Sequence, residues 1–416
     1  MQHLATRHRT LMFLAVLALA LATGTQIWGQ ARREGPIKIG YIDSLTGIFA
    51  FSGTHGRQGA ILATEEINAK GGVLGRSLEL VIRDDKSRPA DGAAAMRDLV
   101  DNGIVIGTGG INSAAVAAVS EVARETKTPF LAKAGYAAFL TEAASHRYFF
   151  RVSPSARVIA AATASELARR PYRKICTVGF DYAYGRDIIE TTLQTLRSRA
   201  PNMEVLPGCQ FWPPLQATEF STILTVIDGQ RPEILIFSGV VGRAANDFVR
   251  QARAFGLMDR IPLLAHSTLG LQDNSWSLTK NDVAPNILVG SDFPTPPITD
   301  AARDFDERHR KRWGEAADTN AHLAYIAMYV IADAIKKAGN LDKEAIISAL
   351  EGAPVKYATG VEGTIRPFDH QSTVGWFVGT LIWDEASKVA GMGNVKYVDG
   401  KDLLWSQEEI ARAKKR

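Results

Sequence analysis

A glycine-rich turn at Gly107–Ser113 carries residue types that can bind an anion. The turn lies between the apolar residues Ile104–Ile106 and an Ala/Val-rich stretch that begins at Ala114. This order predicts a buried strand, a turn and a helix, with Asn112 and Ser113 at the helix N-cap. The unpaired N–H groups and the positive dipole at the start of such a helix suit a carboxylate. An ordinary capped turn explains the same residues, so the pattern leaves both interpretations open.

Further clusters of polar and aromatic residues lie where predicted strands end. Open α/β sheets bind ligands at the carboxyl ends of their strands, so these clusters could share one cleft with the turn. They supply aromatic walls and hydrogen-bonding groups without an activated nucleophile, as a small-ligand pocket does. Each aromatic ring also fits ordinary core packing. The clusters are Phe49–Ser52, Ala134-Gly135-Tyr136 and Asp181–Gly185, and Ser267 adds a polar contact.

The motifs of the common enzyme classes are absent from the sequence. It has no zinc-binding H-E-x-x-H, no G-x-S-x-G nucleophile turn and no phosphate-binding G-x-x-x-x-G-K-[ST]. The turn at residues 107–113 lacks the third glycine of a dinucleotide fingerprint. Asp84-Asp85 would point in opposite directions at a strand end, which favours a solvated or capping pair. His266, near another strand end, fits a structural role. We predict no enzyme, no metal and no cofactor.

Length and composition indicate a protein of about two domains. The chain has 416 residues, of which 46% are hydrophobic, and a formal net charge of +4. Its charges are mixed, and no long basic face is interleaved with aromatics, which argues against nucleic acid as a partner. Strand and helix patterns alternate, so we predict parallel sheets with helices on both faces. We place Phe49, Phe51 and Ser52 in a loop before a helix at 58–70.

The N-terminus has the pattern of an export signal. Two arginines precede the apolar run Leu11–Ala22, which has the length of a signal peptide and is short for a membrane span. The small residues of Gly29-Gln30-Ala31 predict cleavage near Ala31, so residues 1–31 would be removed. An uncleaved N-terminal anchor is the alternative. In an oxidising compartment Cys176 and Cys209 can form a disulfide, but its geometry is demanding, and we favour two buried free thiols.

Six motifs of the chain form a set that is similar to a known family. They are Ile37–Gly40 with Leu45–Gly47, Glu65–Gly72, Asp84-Asp85, Gly107–Ser113, Asp181–Gly185 and Arg250–Arg253. Together they resemble the Leu/Ile/Val-binding protein family, the periplasmic substrate-binding proteins of ABC transporters. The resemblance covers essentially the whole chain after the signal peptide.

The resemblance implies an α/β fold with two lobes, a type I clamshell in which each lobe is a mostly parallel sheet flanked by helices. Lobe 1 would comprise residues 36–152 and 296–372, and lobe 2 residues 153–295 and 373–400. Residues 401–416 would form a C-terminal tail. A ligand binds between the lobes, and closure delivers it to an ABC transporter permease in the inner membrane. The protein would be a periplasmic monomer.

The resemblance also assigns ligand-binding positions. Ser113 matches the serine that holds the ligand carboxylate, and Asn112 lies beside it. Ala134 and Gly135 match backbone contacts in the next loop, while Tyr184 matches a lobe-2 tyrosine that closes on the ligand. The cysteines of the family's lobe-1 disulfide are missing here.

Two positions depart from the amino-acid binders of the family. Tyr136 stands where they usually have a threonine, and Ser267 stands near their acidic residue that pairs with the ligand ammonium. A buried ammonium needs a charged or multiply accepting partner, so this departure weakens a branched-chain amino acid as ligand. A carboxylate with an apolar or aromatic body becomes a serious candidate.

These observations predict an exported solute-binding protein of an ABC importer that captures a small carboxylate. The ligand would be an amino acid or an aromatic or other organic acid. Ser113 and neighbouring N–H groups would bind the carboxylate, and Phe51, Tyr136 and Tyr184 would shape the rest of the site. The alternatives are an amide or urea binder on the same fold and a ligand-sensing partner of a membrane receptor.

Overall fold

The computed structural model describes residues 35–239, 242–284 and 286–415, which build two large sheets flanked by helices and a small two-stranded sheet. The predicted signal peptide, residues 1–31, lies outside the described residues. Within the described ranges, no helix combines the length and the apolar character that a membrane crossing requires.

The first sheet contains the strands nearest the N-terminus. Its elements are β1 (Ile37–Asp43), α1 (Ala50–Ala69), β2 (Leu78–Asp84), α2 (Pro89–Asp101), β3 (Ile106–Gly109), α3 (Ser113–Glu125), β4 (Phe130–Ala132) and β5 (Phe149–Arg151). The five strands are parallel and lie in the order β2-β1-β3-β4-β5. We call this sheet and the helices that cover it the first lobe. Because all strands are parallel, the segments that follow them meet at one edge.

The chain then passes into a second series of alternating elements. They are α4 (Ala156–Leu167), β6 (Lys174–Gly179), α5 (Ala183–Arg199), β7 (Glu204–Phe211), α6 (Ser221–Gln230), β8 (Ile234–Ser238), α7 (Arg243–Ala254), β9 (Leu263–Leu264), α8 (Gln272–Ser275) and β10 (Ile287–Ser291). The strands β6 to β10 pair in parallel within a second, seven-stranded sheet. This sheet is the centre of the second lobe.

The following segment returns to the first lobe. Its elements are α9 (Asp300–Trp313), α10 (Thr319–Ala338), α11 (Lys343–Leu350), β11 (Pro354–Lys356) and β12 (Glu362–Thr364). Helix α10 packs against α1. Gly59 permits this close approach, because a Cβ atom there would overlap the carbonyl oxygen of Ala321.

The chain finally rejoins the second lobe. The last elements are β13 (Trp376–Asp384), β14 (Val389–Val398) and α12 (Gln407–Ala413). The second sheet has the order β14-β13-β10-β9-β8-β6-β7, and its only antiparallel pairs among the described strands are β10–β13 and β13–β14. The strands β11 and β12 form a separate antiparallel pair. The chain thus passes three times between the sheets. The residue boundaries of the lobes given above stay a prediction.

Two element boundaries differ from the sequence prediction. Helix α1 begins at Ala50, so Phe51 and Ser52 lie in its first turn and not in a loop. The sequence does not indicate this helical turn, because residues 53–57 are glycines and polar residues with weak helix propensity. The turn forms because Gly53 packs directly on the backbone of Ser44, and this tertiary contact overrides the local propensity. Strand β3 is 106–109, later than predicted, because its glycines pack closely against neighbouring strands.

The expectation of two free thiols is wrong, because Cys176 and Cys209 form a disulfide with a Cα–Cα distance of 4.9 Å. They lie on the adjacent strands β6 and β7. The register between these strands shifts after Ile175, so that Thr177 pairs with Gln210 and Cys209 comes to lie beside Cys176. A bulge of this kind is set by tertiary packing, and the sequence pattern does not show it.

Candidate functional site

Residues that follow the strands of the two sheets contact one another across the cleft between the lobes. Tyr136, after β4, reaches Asp292, after β10, and its ring lies 5.8 Å from that of Tyr184 at the start of α5. Phe49, after β1, lies 6.2 Å from Tyr182, after β6. Carboxyl ends of parallel strands are the usual place for a ligand site in such folds.

The turn before α3 is held by side-chain hydrogen bonds. Asn112 caps the helix, because its side-chain oxygen accepts from the Ala114 N–H at 3.0 Å, and its amide donates to the Ser87 carbonyl at 2.9 Å. Ser113 is only 1% exposed, and its Oγ accepts from the Ala137 N–H at 3.2 Å. Asn112 therefore shapes the turn. The Ser113 hydroxyl links it to the next loop and still carries a proton to donate.

A buried arginine fixes the loop that follows β4. The guanidinium of Arg151 donates to the carbonyls of Gly135 at 2.6 Å and Ala137 at 2.7 Å, and also to Gln371 and Thr141. Burial lowers the pKa of Arg151 to about 10, so it stays charged at neutral pH. Sequence reasoning missed this residue, although an arginine within an apolar strand was a visible signal. The loop is therefore rigidly positioned.

Two tyrosines face each other across the cleft. Tyr136 comes from the first lobe and Tyr184 from the second, and both side chains are buried. The Tyr184 hydroxyl shares a hydrogen bond of 2.8 Å with Ser267 Oγ. Burial raises the pKa of both phenols well above the usual value, so they are neutral hydrogen-bonding groups. The structure thus brings Ser113, Tyr136, Tyr184 and Ser267 into one connected region.

An acidic residue that the sequence analysis did not name borders the same region. Asp292 follows β10 and is 4% exposed, and its Oδ2 accepts from the Tyr136 hydroxyl at 3.3 Å. Its Oδ1 has no hydrogen-bond partner of normal geometry among the described residues. Burial raises the pKa of Asp292 to about 7, which the nearby hydroxyl of Thr319 partly opposes. No sequence motif marks it, since it lies between the end of β10 and the proline-rich stretch Phe293–Pro297.

Phe51 lies apart from this cluster, at the rim of the cleft. The residue is 39% exposed, and its ring stacks on that of His55 with a centroid separation of 4.2 Å. Trp276 of the second lobe meets the Phe51 ring edge-on at 6.3 Å. The contribution of Phe51 to a ligand site stays a prediction.

A buried charged network lies beside the cluster in the first lobe. Lys133 Nζ lies 3.2 Å from Asp43 Oδ2, and both side chains are completely buried. Asp43 also accepts from the Tyr41 hydroxyl at 2.6 Å, and Lys133 donates to Asn320 Oδ1 at 3.2 Å. Each polar group of this pair has a partner, which is the condition for a buried ion pair to be tolerated.

The network extends to the second lobe through Asp273. Its Oδ1 accepts from the amide of Asn320 at 3.1 Å, and its Oδ2 accepts from the Ser52 hydroxyl. Burial raises the pKa of Asp273 to about 6. Because α1 and α10 belong to the first lobe and α8 to the second, these bonds join the lobes. Among the described residues, no group of three or more His, Cys, Asp or Glu side chains could hold a metal ion.

The family model for periplasmic binding proteins matches residues 36–386, so the chain belongs to this family. Leu/Ile/Val-binding protein BraC3 from Rhizobium johnstonii is 26% identical over 338 residues, 78% of this chain and 86% of that protein. The leucine-, isoleucine-, valine-, threonine- and alanine-binding protein of Pseudomonas aeruginosa is 24% identical over 341 residues, 80% of this chain and 88% of that protein.

Solved structures share the fold. A solute-binding protein of an ABC transporter from Rhodopseudomonas palustris, in complex with 3,4-dihydroxybenzoic acid, has a TM-score of 0.79 at 19% identity and covers 88% of this chain and 98% of its own. The substrate-binding protein LivJ from Streptococcus pneumoniae, in complex with isoleucine, has a TM-score of 0.74 at 23% identity. The match covers 88% of this chain and 99% of the LivJ chain.

These findings confirm the predicted family and the α/β fold with two mostly parallel sheets. The protein is a periplasmic binding protein of the ABC-transporter type, and members of this family bind solutes without catalysis.

Proposed function

We propose that the protein captures a small carboxylate between its lobes and delivers it to the permease of an ABC importer. The observation that carries this proposal is the buried Ser113 hydroxyl at the N-terminus of α3, which is hydrogen-bonded to the loop that carries Tyr136 of the Tyr136–Tyr184 pair. The first N–H groups of a helix have no partner within it and attract negative charge. Ser113 adds a hydroxyl donor to this end of the helix.

The arrangement around Ser113 supports an anionic ligand group. Asn112 caps α3, and the Arg151 guanidinium fixes the neighbouring loop through the carbonyls of Gly135 and Ala137. Donors held in this way need little reorganisation when a ligand binds, which favours affinity. The backbone of Ala134 and Gly135 would contribute further contacts. Tyr136 and Tyr184 would supply aromatic walls for the ligand body, and Ser267 supports the Tyr184 hydroxyl.

The ligands of related proteins agree with a carboxylate. The Rhizobium and Pseudomonas relatives are named for amino acids, and the Rhodopseudomonas structure holds 3,4-dihydroxybenzoic acid. Another Rhodopseudomonas solute-binding protein, with a TM-score of 0.75 at 19% identity, holds benzoate. The group that these ligands share is a carboxylate. We extend the proposal to export into the periplasm, with cleavage near Ala31, and to a monomeric protein.

The substitution Ser113→Ala tests the proposed carboxylate site. Loss of a hydrogen bond to a charged group should weaken carboxylate binding by about tenfold or more. Ligands are first found by a thermal-shift screen of amino acids and aromatic acids, since binding to the native state raises Tm. Affinities of both proteins are then measured by calorimetry.

Ser120→Ala is the matched control. Ser120 lies on the same helix, is also buried and bonds to His146 at 2.8 Å, away from the cleft. It should leave the affinity unchanged. Equal carboxylate affinity in the Ser113→Ala protein and the unsubstituted protein would contradict the assignment of Ser113. Tighter binding of primary amides than of the matching acids would favour an amide binder.

A further inference from the structure

Asp292 is an acidic group of the cleft whose hydrogen-bonding capacity is only partly used. It lies at the carboxyl end of β10 in the second lobe, and Tyr136 of the first lobe is its hydrogen-bond donor there. That bond, at 3.3 Å, is longer than a typical hydroxyl–carboxylate bond of about 2.5–2.7 Å. The second carboxyl oxygen, Oδ1, has no partner of normal geometry among the described residues.

An unpaired buried carboxylate oxygen is unfavourable for the fold. Nearly all buried polar groups in native proteins have a hydrogen-bond partner, and an exception calls for an explanation such as a missing ion or a functional role. The nearby Thr319 hydroxyl, which shares a hydrogen bond with Ser291 at 3.1 Å, partly opposes the rise in the pKa of Asp292, but it makes no hydrogen bond of normal geometry to Oδ1. A hydrogen-bond donor on a bound ligand would supply the partner that Oδ1 of Asp292 lacks.

Ser267 does not supply a negative charge to this side of the cleft. It is a neutral hydroxyl and is already bonded to Tyr184. Asp292 follows β10, the strand next to β9, after which Ser267 lies. Its hydrogen-bond donor Tyr136 has its ring 5.8 Å from that of Tyr184, the residue to which Ser267 is bonded. The Asp292 carboxylate therefore lies near Ser267, at which the sequence has a neutral hydroxyl in place of an acidic side chain.

We infer that Asp292 accepts a hydrogen bond from a donor group of the ligand. This inference rests on the proposed function and narrows the ligand class to carboxylates that also carry an ammonium or a hydroxyl group. Ser113 binds the carboxylate end, and Asp292 recognises the donor end. Acids without a donor leave Oδ1 unpaired and bind more weakly.

Matched pairs of acids test this inference with the complete mature protein. Leucine is compared with 4-methylpentanoate, which lacks the ammonium, and 3,4-dihydroxybenzoate is compared with benzoate, which lacks the hydroxyls. Calorimetry should show that the donor-bearing member of at least one pair binds about tenfold or more tightly. The pair that shows this preference identifies the donor as ammonium or hydroxyl. In Asp292→Asn the preference should fall toward equality, while the affinity of the donor-free acid changes little.

Two further variants separate recognition from a structural role. Tyr136→Phe removes the donor to Asp292 but leaves the carboxylate, so the preference should persist. Asp282→Asn removes another buried carboxylate of the second lobe, which caps Thr279, and should leave both affinities unchanged. If Asp292→Asn and Tyr136→Phe instead weaken both members of a pair equally, Asp292 only joins the lobes and the inference is wrong.

The outcomes also distinguish this inference from the proposed function. Binding of acids that depends on Ser113, without any preference for a donor, overturns the role of Asp292 and keeps the carboxylate site. Absence of binding by all four acids and by the wider screen of carboxylates overturns both. Circular dichroism of each variant confirms that the comparison is made between folded proteins.

Discussion

Two buried carboxylates at the cleft, Asp43 and Asp292, have the same chemistry and opposite surroundings. Asp43 accepts from Tyr41 and from the Ser44 N–H and lies beside the Lys133 ammonium. Asp292 has one long bond and an unpaired oxygen. Burial raises the pKa of both, but only for Asp43 does a cation oppose the effect. The protein itself supplies hydrogen-bond donors and a cation to the Asp43 carboxylate. It leaves one oxygen of the Asp292 carboxylate free to accept a hydrogen bond from a bound ligand.

The largest expected effect is the loss of the Lys133 ammonium. Lys133→Met keeps the apolar stem and leaves Asp43 as a buried charge without its cation. Removing one partner of a buried ion pair typically destabilises a protein by about 3–5 kcal/mol. Urea denaturation should show this decrease in the free energy of unfolding. Lys336→Met is the control, since the exposed pair Lys336–Asp333 should contribute less than about 1 kcal/mol.

A second test contrasts the two carboxylates directly. Asp43→Asn should destabilise the protein, because it leaves Lys133 without its counter-ion. Asp292→Asn should stabilise the ligand-free protein by about 1–3 kcal/mol at pH 8, because it removes a buried charge that lacks a cation. Both values come from denaturation curves under identical conditions. Destabilisation of similar size by both variants would show that the two carboxylates do not differ in this way.

The pH dependence of stability gives the smallest and most specific effect. The pKa of Asp292 is about 7 in the folded protein and near its ordinary value of 3.8 when unfolded. Protonation therefore favours the folded state, so this contribution is present below about pH 4 and is lost as the pH rises toward 7. The total loss is at most about 4 kcal/mol.

Other groups titrate in the same range, so the measured quantity is the difference between two proteins. Asp273, with a pKa raised to about 6, contributes in the same direction over this range, and His55, with a pKa raised from 6.5, does so at higher pH. The ligand-free protein and its Asp292→Asn variant are unfolded in urea at several pH values. Their free energies of unfolding should diverge between pH 4 and 7 and run parallel above it. Parallel curves throughout would show that Asp292 is not buried as a charge.

The sequence predicts the fold well because its signals are local and repeated. Alternating apolar strands and amphipathic helices indicate parallel sheets, and a set of short motifs points to the family. The start of α1 and the Cys176–Cys209 disulfide were mispredicted. A glycine-rich helical turn looks like a loop until Ser44 is known to pack on it, and a strand bulge cannot be read from spacing.

The sequence points to candidate site residues where a motif or a polar cluster at a predicted strand end marks them. Ser113 and Tyr184 lie within motifs, and the structure places them in one connected region with Tyr136 and Ser267. The residues that set the electrostatics of the cleft carry no such mark. Lys133 and Asp292 act through partners that lie far away in the chain, and Arg151 joins the loop after β4 to the distant Gln371, so their roles follow from the tertiary fold.

The edge contact between Trp276 and Phe51 joins opposite rims of the cleft. Any movement of one lobe relative to the other changes the surroundings of this indole. The intrinsic fluorescence of Trp276 should therefore change when a ligand binds, and no added dye or label is needed to detect it. Fast-mixing fluorescence could then follow closing and opening separately. The same residue offers a route to a biosensor for whichever acid the protein binds.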